Sequence, residues 1–451
     1  MADLMQDIKS LCKRRGFIFQ GSDIYGGLAN TWDYGPMGAQ LKKNVKNHWW
    51  QKAVESRGDI EGLDGAILMS PRVWEASGHA EGFTDPLVED VETHQRYRAD
   101  HLIEEELDVA AEGMSMEEMQ QAIEENDIKS PDGNDLTEPK RFNLMFETSI
   151  GPTSEGQNTF LRPETAQAIF INFKKVLNTT RQQLPFGIAQ IGKAFRNEIT
   201  PGNYIFRTLE FEQMEIEYFI EQEDWEDTFE DWDSWLEQWA EEIGLDMSRM
   251  HRFDKPESEL SHYAKKTVDF EFEFPFGTKE LWGLAYRTDF DLKNHQEHSG
   301  ENLAYPDPQD QSKKIIPHVI EPSLGVDRTL LALLVSAYNK DEEEDRVVME
   351  FEPEIAPNQV AVFPLMDKDG LGEKAQTIYE DIRTEFRVEY DGSGSIGKRY
   401  RRQDEIGTPY CITVDYDSLE GEGVTVRDRD SMEQDRVQED QLIEYINNKI
   451  K

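Results

Sequence analysis

The residues best suited to chemistry lie in Phe195-Arg196-Asn197-Glu198, a polar Gly/Pro loop (ITPGNYI), and then Phe206-Arg207-Thr208-Leu209-Glu210-Phe211-Glu212-Gln213-Met214-Glu215. Two strands joined by a loop fit this pattern. Alternate residues of a strand share a face. Arg196 and Glu198 therefore fall together, as do Phe211, Gln213 and Glu215. One surface then offers a guanidinium, an aromatic ring and carboxylates. A guanidinium grips phosphate bidentately, a ring stacks on a nucleobase, and a carboxylate holds an ammonium. The plain alternative is an amphipathic hairpin with solvated charges.

Three further segments weigh against that alternative. Glu321-Pro322-Ser323-Leu324-Gly325-Val326-Asp327-Arg328 ends a strand and opens an apolar helix, an arrangement suited to phosphate near a helix N-terminus. Capping and a surface ion pair are the simpler reading of Asp327 and Arg328. Leu161-Arg162-Pro163-Glu164-Thr165-Ala166-Gln167 starts a helix with Pro in its first turn, where Glu164 also suits the helix dipole. Glu280-Leu281-Trp282-Gly283 leads into Arg287-Thr288-Asp289, a strand charged at both ends.

The elements that must carry these residues follow from periodicity and turn signals. Helices are expected over 3–15, 39–53, 100–127, 163–177, 225–243 and 328–339, with structured loops over 22–36 and 130–139. Strands are expected over 142–146, 187–198, 208–219, 267–274, 281–290 and 315–321. This order lacks a βαβ rhythm and predicts an antiparallel sheet flanked by helices, an α+β catalytic domain over 1–350. After the acidic DEEEDR and the FEPEIAP segment the rhythm changes. Strands at 360–364, 387–390, 410–414 and 424–428, with helices at 372–385 and from 438, predict an α/β domain over 351–451.

Composition sets the class. The chain has 451 residues, 48 Lys+Arg against 92 Asp+Glu, and two cysteines. The longest apolar run, 329–338, is too short to span a bilayer, and the start MADLMQDIKS lacks a secretory pattern. Two cysteines exclude a disulfide framework and a Cys-rich zinc site. A cytoplasmic protein without membrane contact is expected. The formal net charge of −44 argues against nucleic-acid binding, because phosphate affinity comes from Lys and Arg. The acids are spread along the whole chain, which favours adaptation to a salty cytoplasm instead. The tryptophans at 225, 232, 235 and 239 form a helical stripe and are assigned to packing. His295 and His298 lack clustered partners for a metal.

The strand-borne F-R-x-E, its loop and second strand, and the later G-x-D-R before a helix resemble motifs 2 and 3 of class II aminoacyl-tRNA synthetases. GSDIYGGLANTWDYGPMG, LRPETAQAIF, FEQMEIEYF, EPSLGVDR and GSIGKRYRRQDEIGTP resemble the single-chain, homodimeric glycyl-tRNA synthetases. The resemblance covers nearly the whole chain. It places motif 1, the dimer-forming helix and strand, near 31–70, an acidic insertion near 88–140, motif 2 near 187–219 and motif 3 near 321–338. The domain over 351–451 becomes the anticodon-binding domain.

The resemblance implies roles for residues here. Arg196, Arg328 and Glu198 are the catalytic set. Arg196 would hold the ATP α-phosphate and Arg328 the γ-phosphate. Phe211 would stack on adenine, with Asn197, Phe206, Arg207, Glu280, Leu281, Gly325, Val326 and Asp327 completing the ATP site. Glycine would be held by Glu164, Glu215 and Ser323 around its ammonium, with Arg98, Glu212, Gln213, Met214, Arg287 and Glu321 nearby. Glu280 and Glu321 would bind Mg²⁺, for which hard carboxylate oxygens are suited. Lys398, Arg399, Arg401 and Arg402 would contact tRNA, a local answer to the global charge conflict.

Two departures stand out. Many members carry a C-x-x-C pair before R-A-D and further cysteines after it. This chain has DVETHQ there, so no structural zinc is expected and the insertion must fold by other means or stay mobile. Leu209 stands where members often have Arg. Two other readings stay open at this point: a class II synthetase for another amino acid, and a non-catalytic synthetase-like RNA-binding protein.

Overall fold

A computed structural model describes residues 2–107, 109, 111, 113–151, 157–200, 202–306, 314–342 and 344–450. Pro201 in the loop after Glu198, Asp108, Ala110 and Glu112 in the insertion, and Glu343 in the acidic run lie outside the described residues.

The chain opens with helix α1 (Ala2–Arg15), a short antiparallel pair Ile18–Gln20 with Trp32–Tyr34, and helix α2 (Pro36–Trp50), which has Pro at its first position. The segment 22–36, expected to be all loop, therefore carries a strand. A seven-stranded sheet then forms the centre. Its strands are β1 (Ile60–Gly62), β2 (Phe186–Phe195), β3 (Glu210–Ile220), β4 (Met250–Asp254), β5 (Lys266–Phe274), β6 (Gly277–Thr288) and β7 (His318–Gly325). Their order is β4-β5-β6-β7-β3-β2-β1. All neighbours are antiparallel except β1 and β2. The expected antiparallel sheet is thus present. Edge strand β4 was not expected, because MHRFD is mostly exposed and shows no apolar alternation.

The region expected as one helix over 163–177 is two, α3 (Ala166–Phe170) and Phe173–Thr180, separated by a turn at Ile171–Asn172. Helix α4 (Trp225–Glu242) buries Phe229, Trp232, Leu236 and Trp239 at helical spacing and turns its acids outward. Helix α5 (Phe290–Ser299) follows β6, and α6 (Val326–Ala337) follows β7. Beyond its first turn, which carries Asp327 and Arg328, α6 is apolar on nearly all sides and almost wholly buried in the main core.

The acidic insertion pairs strand Thr84–Glu89 with Arg96–Arg98 and Lys140–Asn143. Its expected helix over 100–127 is split into Ala99–Leu107 and Met116–Glu125. Gly113 between them has φ +91, a conformation only glycine adopts freely. Ser115 and Glu118 then form a capping box. The two helices close a small apolar core around Val88, Ile103, Met119 and Ile123.

The C-terminal domain is a separate five-stranded sheet with its own core. Its elements are β8 (Val360–Pro364), α7 (Leu371–Ile382), β9 (Val388–Tyr390), α8 (Ile396–Ile406), β10 (Tyr410–Val414), β11 (Val424–Asp428), β12 (Gln434–Val437) and α9 (Leu442–Ile450). Parallel β9-β8-β10 continue into antiparallel β11 and β12. α8 touches the N-terminal part: Glu405 accepts from Nε of Arg14 at 3.0 Å and of Arg15 at 2.5 Å. No helix among the described residues is long and apolar enough to cross a membrane. Cys12 and Cys411 are buried free thiols, as expected of packed side chains.

Candidate active site

Strands β3, β7 and β6 lie side by side. Their register sets Glu215 opposite Ser323, Ser323 opposite Gly283, and Glu321 opposite Ala285. Residues directly opposite share a face. Above this floor lies a cleft of about 270 Å³, lined by residues of motifs 2 and 3, by Glu164 and by strand β6.

One end of the cleft is cationic and aromatic. The Arg196 guanidinium lies 5.3 Å from the ring centres of both Phe211 and Phe83, and its Nε donates to the Pro163 carbonyl at 3.0 Å. The Arg328 guanidinium lies 4.4 Å from the Phe206 ring centre. Its Nη1 donates to the Glu280 carbonyl at 3.0 Å and sits 3.4 Å from the Glu280 carboxylate. Glu198, Arg207, Leu281 and Gly325 also line the cleft.

The other end is anionic. Glu215 accepts from the Ser323 hydroxyl at 2.7 Å and from the Thr165 hydroxyl. Gln213 donates to it at 3.3 Å. Glu164 sits 3.3 Å from His79 Nε2 and accepts from Gln167 at 2.9 Å. Arg287 is bidentate on Asp291, at 2.9 and 3.0 Å, and reaches Glu321 at 2.8 Å. Tyr263 covers the Arg287 guanidinium at 3.9 Å.

Burial sorts these acids. Desolvation and neighbouring carboxylates push Glu215 up despite its hydrogen bonds. Glu321 is pushed up to about 8 by burial, which outweighs Arg287. Glu164 goes the other way: burial is overcome by His79, Arg287 and Gln167, which hold it well below the usual carboxylate range. Glu217, one pleat deeper on β3 and wholly buried, is pushed well above the carboxylate range by burial and by Glu321. Oxygens of Glu215, Glu217 and Glu321 lie within 4.8 Å of one another.

Several expected residues are placed elsewhere. Met214 and Val326 are fully buried in the main core, because strand alternation and the inner side of α6 turn them from the cleft. Glu212 and Asp327 border the cleft, but their carboxylates face α2. Lys42 lies 3.1 Å from Glu212 and 2.9 Å from Asp327, Lys46 lies 2.7 Å from Glu212, and the Tyr34 hydroxyl donates to Asp327. Asn197 does not line the cleft; its backbone N–H donates to the Leu144 carbonyl at 2.7 Å. Arg98 is held outside, on Asp85 at 3.0 Å and on Asp100. Glu280 and Glu321 cannot share one ion. Glu321 stands opposite Ala285, five residues along β6 from Glu280, which is about 16 Å of strand.

Residues 146–337 match the tRNA synthetase class II core domain (G, H, P, S and T), and residues 359–449 match the anticodon binding domain. The glycine–tRNA ligase of Alkaliphilus oremlandii is 52% identical across 99% of this chain and 98% of its own. Those of Geobacillus thermodenitrificans and Staphylococcus aureus are each 50% identical, across 100% of this chain and 98% and 100% of theirs. The chain belongs to the glycine–tRNA ligase family.

In this glycine–tRNA ligase fold, α8 carries the basic cluster of the C-terminal domain. Lys398 is exposed and Arg401 partly so. Arg402 leans on Asp391. Arg399 is different: it is 2% exposed and donates to the backbone carbonyls of Pro364, Gly392 and Gly394. It braces the loop before α8 and has no free surface for RNA. Asp404 and Glu405 do not neutralise the cluster, since Asp404 pairs chiefly with Arg427 at 2.9 Å and Glu405 with α1.

Sequence reasoning missed His79, Gln167, Glu217, Tyr263, Asp291 and Lys42. Only Glu217 had a local signal, since alternation on EFEQMEIEYF puts it on the face of Gln213 and Glu215.

Proposed function

We propose that this chain condenses glycine with ATP to glycyl-adenylate and pyrophosphate, then transfers the glycyl group to the terminal adenosine of a tRNA. One observation carries the reading: Phe211, with Arg196 over it, and Glu215 lie on one face of β3, four residues and about 13 Å apart. An adenylate has that polarity, an aromatic base and phosphate at one end and an ammonium at the other.

Phe211 offers its ring to adenine, Arg196 its guanidinium to the α-phosphate, and Arg328 its own to the γ-phosphate. Glu198, Arg207 and Leu281 complete that end. Glu215, Glu164 and Ser323 receive the ammonium, with Arg287 fixing Glu321 beneath. A glycine carboxylate oxygen then attacks the α-phosphorus in line, the bond to the bridging oxygen breaks, and pyrophosphate leaves. No covalent enzyme intermediate is needed; the residues contribute orientation and charge. Glu280, 49% exposed at the phosphate end, would hold a Mg²⁺ through its hard carboxylate oxygens. That ion, when bound, offsets phosphate charge.

The enzyme is read as a cytoplasmic homodimer. Ile24, Tyr25 and Leu28, which are 88%, 87% and 58% exposed, form an apolar patch ahead of α2 that a second copy would cover. Lys398, Arg401 and Arg402 are read as tRNA contacts.

The test is Glu215→Ala. The glycine KM should rise by at least about tenfold, the cost of losing a charged partner, while the ATP KM stays within about twofold. Equal changes in the two would remove Glu215 from the ammonium site.

A further inference from the structure

Glu164 is fixed from two sides, and the side away from His79 is a single buried amide. Gln167, on α3, is 0% exposed. Its Nε2 lies 2.9 Å from Glu164 Oε1 and 3.1 Å from Asp291 Oδ1, and its Oε1 lies 2.7 Å from His295 Nε2. Both carboxylates can only accept, so the atom between them must be the amide nitrogen. The amide oxygen must then accept from an Nε2–H of His295. Burial holds His295 below its ordinary value and so neutral, which fits that single donor. No polar atom of the amide is spare.

The chain of contacts continues on the far wall. Asp291 is the carboxylate that Arg287 grips with two nitrogens, and Arg287 in turn holds Glu321. One amide thus ties the first turn of α3, which follows Glu164, to α5 and the end of β6. Gln167, His295 and Asp291 do not line the cleft themselves.

We propose that Gln167, oriented by His295, is a positioning residue for glycine recognition: it locks the Glu164 carboxylate at a fixed distance from the Arg287–Glu321 wall. An ammonium between acids on separate elements is bound only as well as those elements are held, and a shift of one ångström is felt strongly. A glutamate at 167 could not do this. Its second oxygen would face Glu164 and Asp291 without a donor, a like-charge contact in a buried site.

This inference rests on Glu164 being a ligand of the glycine ammonium, so the experiment carries a separate arm for that reading. Glycine- and ATP-dependent pyrophosphate exchange is measured on the full-length wild type and on Glu164→Gln, Gln167→Met, His295→Leu and His295→Gln. Glu164→Gln tests the reading: an unchanged glycine KM there removes Glu164 from the site. With Glu164 upheld, Gln167→Met should raise the glycine KM at least about tenfold, as loss of a hydrogen bond to a charged group does. The ATP KM should stay within about twofold. His295→Leu should move the glycine KM in the same direction by less, and His295→Gln, which keeps an N–H donor, should recover most of the loss. A purely structural role would change both KM values together or neither. A glycine KM within twofold of wild type in Gln167→Met overturns the inference. Should Gln167→Met fail to fold, His295→Leu decides: an unchanged glycine KM, or equal changes in both KM values, overturns it.

Discussion

Neither carboxylate oxygen of Glu217 has a hydrogen-bond partner among the described residues, although the side chain is wholly buried beside Glu215 and Glu321. Glu215, Glu217, Glu321 and Asp291 face one guanidinium, Arg287, which is already bound to two of them. Burial therefore makes Glu215, Glu217 and Glu321 hold their protons more tightly than free carboxyls until a cation arrives. In the proposed function glycine supplies that cation. An acid raised from 4.5 to about 8, as Glu321 is, binds its proton more tightly folded than unfolded. Its contribution to stability is complete below about 4.5 and fades as pH rises through about 8. Ammonium binding favours the ionised form and so runs the opposite way. We expect the glycine KM to fall from pH 6 to 8.5, and the melting temperature without glycine to fall over the same window. Saturating glycine should reduce that loss. Steady-state kinetics and thermal melts check this; a glycine KM flat across the window contradicts it. The residues that strand alternation aligns, Arg196, Phe211, Gln213 and Glu215, were legible in the sequence. The same alternation argued against Glu212 and Met214, which resemblance alone had added. Gln167, Asp291 and His79 were not legible, because the contacts that bring them to the site, Gln167 with Asp291 and His295 and His79 with Glu164, join elements far apart in the chain.

At the scale of elements, the insertion shows how a fold replaces a constraint. Without a C-x-x-C pair, its loops converge on one buried acid. Asp90 accepts from the Ser130 hydroxyl at 2.5 Å, from Asn134, and from the backbone N–H groups of Glu92 and Thr93 at 2.8 and 2.9 Å. Those bonds hold Asp90 far below the usual carboxylate range against the pull of burial. Asp90→Ala strands these donors and should loosen 90–136, so limited proteolysis should cut there first, with the catalytic sheet intact. Wild-type resistance in the variant would show that the apolar core of the insertion suffices. Helix α8 allows a second test. Lys398, Arg401 and Arg402 changed together to Gln should lower tRNA affinity and leave glycine-dependent exchange unchanged. Arg399→Gln should instead destabilise the domain, since it removes bonds to buried carbonyls. Intact aminoacylation at limiting tRNA in the triple variant would move the RNA surface elsewhere. Long strands and the Trp-rich α4 were legible from periodicity. Edge strand β4 and the breaks at Ile171 and Gly113 were not, because an exposed edge needs no apolar alternation and a break depends on what the turns pack against.

The whole molecule carries −44 formal charges, and its acids are dispersed over catalytic sheet, insertion and C-terminal domain alike. Self-repulsion of that size destabilises a compact state at low ionic strength. The Debye length falls from about 10 Å at 0.1 M salt to about 3 Å at 1 M, so molar KCl should relieve most of it. Basic contacts to phosphate weaken over the same range. We therefore expect the melting temperature to rise between 0.05 and 2 M KCl, with glycine activation retained at the top. A flat or falling melting temperature would leave the acidity without this explanation. The central claim, that the cleft joins an adenylate-shaped nucleotide end to a pocket for a bare ammonium, is tested most directly by pyrophosphate exchange with each of the twenty amino acids in turn. The account predicts exchange with glycine at a rate far above the other nineteen. Exchange supported best by another amino acid, or by none, would contradict it.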